Sequence, residues 1–202
     1  MTQVRATTPV GVERPLRADA RRNRESLLRA ATEAFAGRGL DVSLEEIARR
    51  AGVGIGTLYR HFPTREALVE AVYRHGVETM CDTAAELVRE RPPDEALAAW
   101  MQEFVRYVAE KRGLASHLKG MIGQDSELFA YSHQRIREAI NTVLGPAVQA
   151  GLVRSDVAPQ DLLRAMSGIC MIAEPPVDDE ASRLVGLLMD GLRYGASASA
   201  PD

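Results

Sequence analysis

Between Ile55 and His61 the chain sets Thr57, Tyr59, Arg60 and His61 within five positions, crowding hydroxyls and cationic groups onto one short segment. Those groups suit a phosphate-lined groove, because hydroxyls and nitrogens can donate to phosphate oxygens. A guanidinium such as that of Arg60 can also bridge O6 and N7 of guanine, and an aliphatic side chain such as Ile55 can touch a thymine methyl. Gly54 and Gly56 carry no side chain, so the backbone here can come close to another molecule. Leu58 and Phe62, four residues apart, are the apolar pair that would hold such a helix on its neighbour while the other faces stay free.

The residues just upstream supply the element that must position this segment. Leu44, Ile47, Ala48 and Ala51 fall at i, i+3, i+4 and i+7, the spacing of one narrow apolar helix face. Ser43 followed three positions later by Glu46 predicts a capping box, the hydroxyl taking an amide of the first turn and the carboxylate reaching back to the cap. A tight turn at Ala51-Gly52-Val53 separates the two helices, which gives helix-turn-helix order. The pattern alone is shared by DNA readers and by plain helical packing. The polar residues of the second helix point it to DNA.

Charge supports a split molecule. The 202 residues carry a net charge of −3, but residues 1–75 hold 13 arginines against 9 acidic residues and the remainder holds 12 basic against 19 acidic. A basic end on an acidic body suits a protein that meets phosphate at one place and repels it elsewhere. A content of 46% hydrophobic and only 5% aromatic residues predicts a core of Leu, Val, Ala and Met. The two cysteines, Cys81 and Cys170, have no CxxC spacing and read as buried small hydrophobes in a reducing compartment. With no apolar signal core and no stretch near the ~20 residues of a membrane span, a cytoplasmic protein without a membrane partner is expected.

Hydrophobic periodicity runs at helical spacing throughout and predicts an all-α chain of nine helices. A flexible arm over 1–18 reads as a frayed tail or, with Arg14 and Arg17 joined by the following Arg21 and Arg22, as a basic arm against a phosphate backbone or minor groove, and a three-helix DNA-binding domain over 19–75 follows it. A larger helical domain over 76–195 and a disordered tail over 196–202 complete the chain. One long helix from Thr64 to about Arg89 belongs to both domains and would act as a lever. Gly113 is expected to interrupt the next helix, leaving a short one from about Leu114 to Ile122, and Gly145-Pro146 to kink the following one.

Residues from about Arg21 to Val72 closely resemble the DNA-binding domain of the TetR (tetracycline repressor) family of bacterial transcriptional regulators. The likeness is carried by Ala34-Phe35 with Gly39, Ile47-Ala48, Ala51-Gly52-Val53, Gly56-Thr57-Leu58-Tyr59, His61-Phe62 and Arg65-Glu66-Ala67-Leu68. Where this chain has Ser43, Gly54 and Arg65, the family often has Thr, Ser and Lys. The resemblance implies a homodimer that binds a palindromic double-stranded operator and changes the separation of its recognition helices when a ligand enters the larger domain. It also implies phosphate or groove contacts from Ser43, Thr57, Tyr59, His61 and Arg65, and base contacts from Ile55, Gly56 and Arg60. Dimerisation falls to the last two helices, with Leu162, Met166, Ile169, Leu184 and Leu188 as the candidate interface.

No motif specifies the effector. Trp100, Met101, Phe104, Tyr107, His117, Met121, Phe129, His133, Met166 and Cys170 are the apolar or amphipathic residues of the central helices, and Trp100, Phe104, His117 and Met121 are the candidate pocket. His117 and His133 stand sixteen residues apart with no further ligand at metal spacing, so no metal and no cofactor is expected. There is no nucleophile elbow, Walker loop or dinucleotide fingerprint. The reading is a DNA-binding regulator, a repressor released by a small molecule, and not an enzyme. The alternative is a small-molecule-binding or enzymatic helical protein whose helix-turn-helix is vestigial.

Overall fold

The computed structural model describes residues 13–172 and 179–194, and the chain divides into two units, the boundary falling between Leu68 and Val69. Eight α-helices follow one another among the described residues: α1 (Glu13–Arg38), α2 (Leu44–Arg50), α3 (Ile55–His61), α4 (Arg65–Glu90), α5 (Pro93–Ile122), α6 (Glu127–Gln149), α7 (Pro159–Ile172) and α8 (Asp179–Arg193). The all-α class is as expected, with eight helices in place of nine.

In the first unit α1, α2 and α3 pack on one another around Leu27, Ala31, Ala34, Phe35, Ile47, Ala48, Leu58 and Phe62, all buried. α1 begins six residues earlier than the sequence suggested. Proline is tolerated in a first turn, where its missing N–H has no intrahelical partner to lose, so Pro15 does not delay the start. The predicted arm's first twelve residues, and the side chains of Arg14 and Arg17, lie outside the described residues.

The turn between α2 and α3 is built by two backbone bonds. The Val53 amide donates to the Ala48 carbonyl at 3.0 Å and the Gly52 amide to the Arg49 carbonyl at 3.2 Å, the pair that closes a Schellman motif. Gly52 sits at φ +71°, a conformation that side chains with a Cβ seldom adopt, which is why this position calls for glycine. Pro63 follows α3, and Thr64 caps α4 by accepting from the Ala67 amide at 3.1 Å.

In the second unit α5 is the central rod, packing against α6, α7 and α8. Its core holds Trp100, Met101, Leu97, Val105, Ile140, Val143, Leu162 and Met166, with Val77, Met80 and Cys81 contributed by α4. Burial pushes the Cys81 thiol up to about 12 and that of Cys170 to about 11, so both stay protonated and inert, as small hydrophobes do. The α8 end is tied down by Arg193, which donates to Asp94 at 2.6 Å, and by the Arg154 amide, which donates to the Leu192 carbonyl at 2.8 Å.

The expected break at Gly113 is absent: α5 runs through it without interruption to Ile122. A glycine inside a helix costs roughly 1 kcal/mol relative to alanine, and burial of Leu114 and Leu118 on the continuing apolar face offsets that cost. α6 contains Pro146, whose carbonyl accepts from the Ala150 amide at 3.0 Å.

Candidate nucleic-acid interface

α3 is held by two anchors and leaves its remaining surface open. Leu58 and Phe62 are fully buried, whereas Gly56, Tyr59 and Arg60 are exposed and Ile55, Thr57 and His61 half-exposed. Tyr59 is 46% exposed, an unusual posture for an aromatic side chain on so small a helix. Arg60 has no carboxylate partner among the described residues, so its guanidinium is free to meet an external acceptor. Gly54 stands at the helix start in extended backbone, φ −72°, and supplies no side-chain cap.

α2 sets α3 through its buried Leu44, Ile47 and Ala48. Ser43 caps it as expected, its hydroxyl accepting from the Glu46 amide at 3.2 Å and keeping its own proton for another acceptor. The second half of the capping box is not formed. Glu46 accepts instead from Arg50 at 2.7 and 3.0 Å and from Arg38 at 2.8 Å, because two guanidiniums outcompete one neutral amide for a carboxylate. The hydrogen bond from Arg50, helped by the field of Arg38 and opposed by desolvation, holds Glu46 below the usual carboxylate range.

Arg65 was expected to face phosphate, and the structure uses it inward. Its Nη1 donates to the Leu40 carbonyl at 2.7 Å and its Nη2 to the Val42 carbonyl at 2.8 Å. One guanidinium thus fastens the loop between α1 and α2, the loop that ends at Ser43. Arg24 lies over the Phe62 ring at 5.2 Å, a cation–π contact under the end of α3. Sequence reasoning did not single out Arg38, Arg50 or Arg24. The i, i+4 spacing of Glu46 and Arg50 was the available signal for one of them.

Of the four candidate effector residues, Trp100 and Phe104 are packed in the core with ring centroids 5.7 Å apart, while His117 and Met121 are exposed. The second unit has a concavity of about 410 Å³ lined by other residues, among them Tyr73, Tyr107, Lys111, Ala115, Lys119 and Cys170. Tyr107 and Cys170 belonged to the wider apolar set. The two lysines did not, because an interrupted α5 hides that positions 107, 111, 115 and 119 share one stripe at a spacing of four.

The candidate dimer residues separate by burial. Leu162 and Met166 point into the chain's own core, Ile169 and Leu188 are half-buried against it, and Leu184 is half-buried. Among the described side chains, the large apolar ones that face outward on α7 and α8 are Met171 at 80% and Leu187 at 67% exposure, with Tyr194 just beyond.

Two family models match this chain. One, for bacterial regulatory proteins of the tetR family, covers residues 27–72, and the other, the SbtR-like transcriptional regulator C-terminal domain, covers residues 92–194. The chain belongs to the TetR family. A TetR transcriptional regulator of Streptomyces coelicolor is 43% identical, with 84% of this chain and 98% of that chain covered at a TM-score of 0.75. A TetR regulatory protein of Mycobacterium vanbaalenii is 38% identical over 89% of this chain and 100% of its own, with a TM-score of 0.73. The HTH-type transcriptional repressor KstR2 of Rhodococcus jostii is 28% identical over 192 residues, covering 84% of this chain and 90% of that repressor. Within the TetR family the matched N-terminal segment contains all of α2 and α3, which makes the chain a helix-turn-helix transcriptional regulator.

Proposed function

We propose that this TetR-family regulator is a homodimeric repressor that holds a palindromic operator through α3 and releases it when a small molecule binds the second unit. The observation that carries the reading is the open face of α3, where Thr57, Tyr59, Arg60 and His61 stand clear of any carboxylate pair among the described residues. Thr57, Tyr59, His61 and the Ser43 hydroxyl donate to phosphate oxygens, which fixes register. Ile55, Gly56 and Arg60 meet base edges, which gives sequence preference. Arg65, with both terminal nitrogens turned to carbonyls, acts as a positioning residue for the Ser43 loop.

Two such faces are needed to read a two-fold operator. α7 and α8 supply the means, because Met171 and Leu187 leave apolar surface in water that a second copy covers in an isologous contact. The effector end of the mechanism rests on α4, a single helix containing both Arg65 and the concavity residue Tyr73. Tyr107 of α5 donates to the Tyr73 carbonyl at 3.3 Å, so a ligand that displaces the Tyr107 ring acts on α4 directly. Coupling is reciprocal: a ligand that weakens operator binding by some factor binds the operator complex weaker by that same factor.

Titration of duplex DNA at increasing salt tests the reading. A DNA binder loses affinity steeply and linearly with log salt as displaced counterions compete, and the proposal expects a clear negative slope. Weak binding with no salt dependence would identify the helix-turn-helix as vestigial.

A further inference from the structure

The 410 Å³ concavity has a chemical character of its own. Tyr73, Tyr107, Val108, Ala115, Cys170 and Met171 give it an apolar lining, yet Lys111, Arg112 and Lys119 also line it and no acidic residue does among the described residues. The cations are not equivalent. Arg112 is committed, donating to the Cys170 carbonyl, and so braces α5 against α7. Lys119 rests near the Phe129 ring, 5.9 Å from its centroid, a contact weak enough to give up. Lys111 has no ion-pair partner among the described residues.

Contrast sharpens the point. The smaller concavity, about 260 Å³ beside Cys81, is lined by Arg89 and Arg135, but Asp82, Glu86 and Glu138 line it with them, and Arg135 is paired with Asp82 at 2.6 Å and with Glu138 at 3.1 Å. Its charge is answered within the protein, whereas the charge of Lys111 is not.

Spacing then decides how a ligand would lie. Lys111, Ala115 and Lys119 are successive members of one stripe on α5, so the two lysines stand about 12 Å apart along the axis. Ala115, with its small side chain, sits midway, and the Ser116 hydroxyl is beside it. Both ammonium groups are on flexible four-carbon stems that can converge over Ala115. Toward the N-terminal end the same stripe turns apolar at Val108 and Tyr107, where Tyr73 faces it from α4.

We infer that the effector is an anionic amphiphile, its acidic head seated over Ala115 between Lys111 and Lys119 and its apolar body running toward Val108, Tyr107 and Tyr73. This rests on the reading of the second unit as effector-binding, and specifies the ligand class. Pockets of this kind take an apolar body and fix its direction with a few placed polar groups. Here the placed groups are cations, so uncharged and cationic amphiphiles are discriminated against.

The test uses full-length protein and four octyl probes titrated by calorimetry: octanoate, octyl phosphate, octanol and octyltrimethylammonium. Octanoate or octyl phosphate should bind at least tenfold more tightly than octanol, and the ammonium compound should not bind. Whichever of the two anions binds more tightly identifies the acidic group as carboxylate or phosphate. K111Q and K119Q should each weaken the anion about tenfold and leave octanol unchanged. A115W, at a half-exposed position that the fold can accommodate, should abolish binding of the anion. Equal affinity for octanol and the anions would overturn the charge class while leaving an effector site in place. Anion binding that survives A115W would overturn the location. Binding of none of the four at millimolar concentration would overturn the inference, and an operator that still responds to another compound would show that the effector reading survives without it.

Discussion

Replacement of Arg65 by alanine separates its structural use from a contact with DNA. The side chain makes two charge-assisted bonds, to the Leu40 carbonyl at 2.7 Å and the Val42 carbonyl at 2.8 Å, both part-buried. A hydrogen bond to a charged group contributes about 1.5–3 kcal/mol. Because both carbonyls are only partly buried, water recovers some of that in the variant, and the net loss for Arg65→Ala comes to about 2–3 kcal/mol. For a unit of this size that lowers the unfolding midpoint by on the order of 10 °C. Arg65→Lys keeps the charge but cannot span two carbonyls, so it should recover roughly half of the loss. Urea unfolding followed by circular dichroism gives the numbers, with DNA affinity measured in parallel on protein that is still folded. An Arg65→Ala protein of wild-type stability that has lost DNA binding would refute the argument, and would return Arg65 to the phosphate.

Gly76→Ala brings a Cβ within 2.9 Å of the Tyr107 ring, so the overpacking should cancel the helix-propensity gain of about 1 kcal/mol, and Gly76→Ala with Tyr107→Leu should recover it; a single variant stabilised by the full gain contradicts the contact. Leu187→Asp, at a position 67% exposed, should leave the fold within about 0.5 kcal/mol of wild type yet give a monomer in sedimentation, whereas Met166→Asp should not fold; a dimeric Leu187→Asp protein would move the interface elsewhere. Glu46 has its carboxyl held below the usual 4.5 by Arg50 and Arg38. Its contribution to stability is therefore present above that value and lost as pH falls through the lowered one, and Glu46→Gln should flatten this acid limb in a stability-against-pH series.

Much of the first unit was legible in sequence because local rules there agree with one another. The apolar spacing of Leu44, Ile47 and Ala48, the cap at Ser43 and the glycine at the α2–α3 turn together bound one and the same helix, and the structure has all three. The use of Arg65 was not legible. Its partners are backbone carbonyls 23 and 25 residues away, and carbonyls have no signature in a sequence. The lining of the 410 Å³ concavity was hidden by one wrong break. Treating Gly113 as a helix end resets the phase of everything after it, so Lys111 and Lys119 no longer share a face. Trp100 and Phe104, taken as apolar residues of the central helices, lie in the core because large apolar residues on a central helix are first needed for packing.

The central claim is that α3 reads a two-fold DNA site, and selection of bound duplexes from a random pool tests it most directly. Wild-type protein should enrich an inverted repeat whose half-sites share one sequence. Arg60→Ala should relax the preference at a single base pair in each half, at a cost of roughly 1–3 kcal/mol, and leave the rest of the site intact. A pool that stays random with wild-type protein, or a site whose every position is unaffected by Arg60→Ala, would contradict the account.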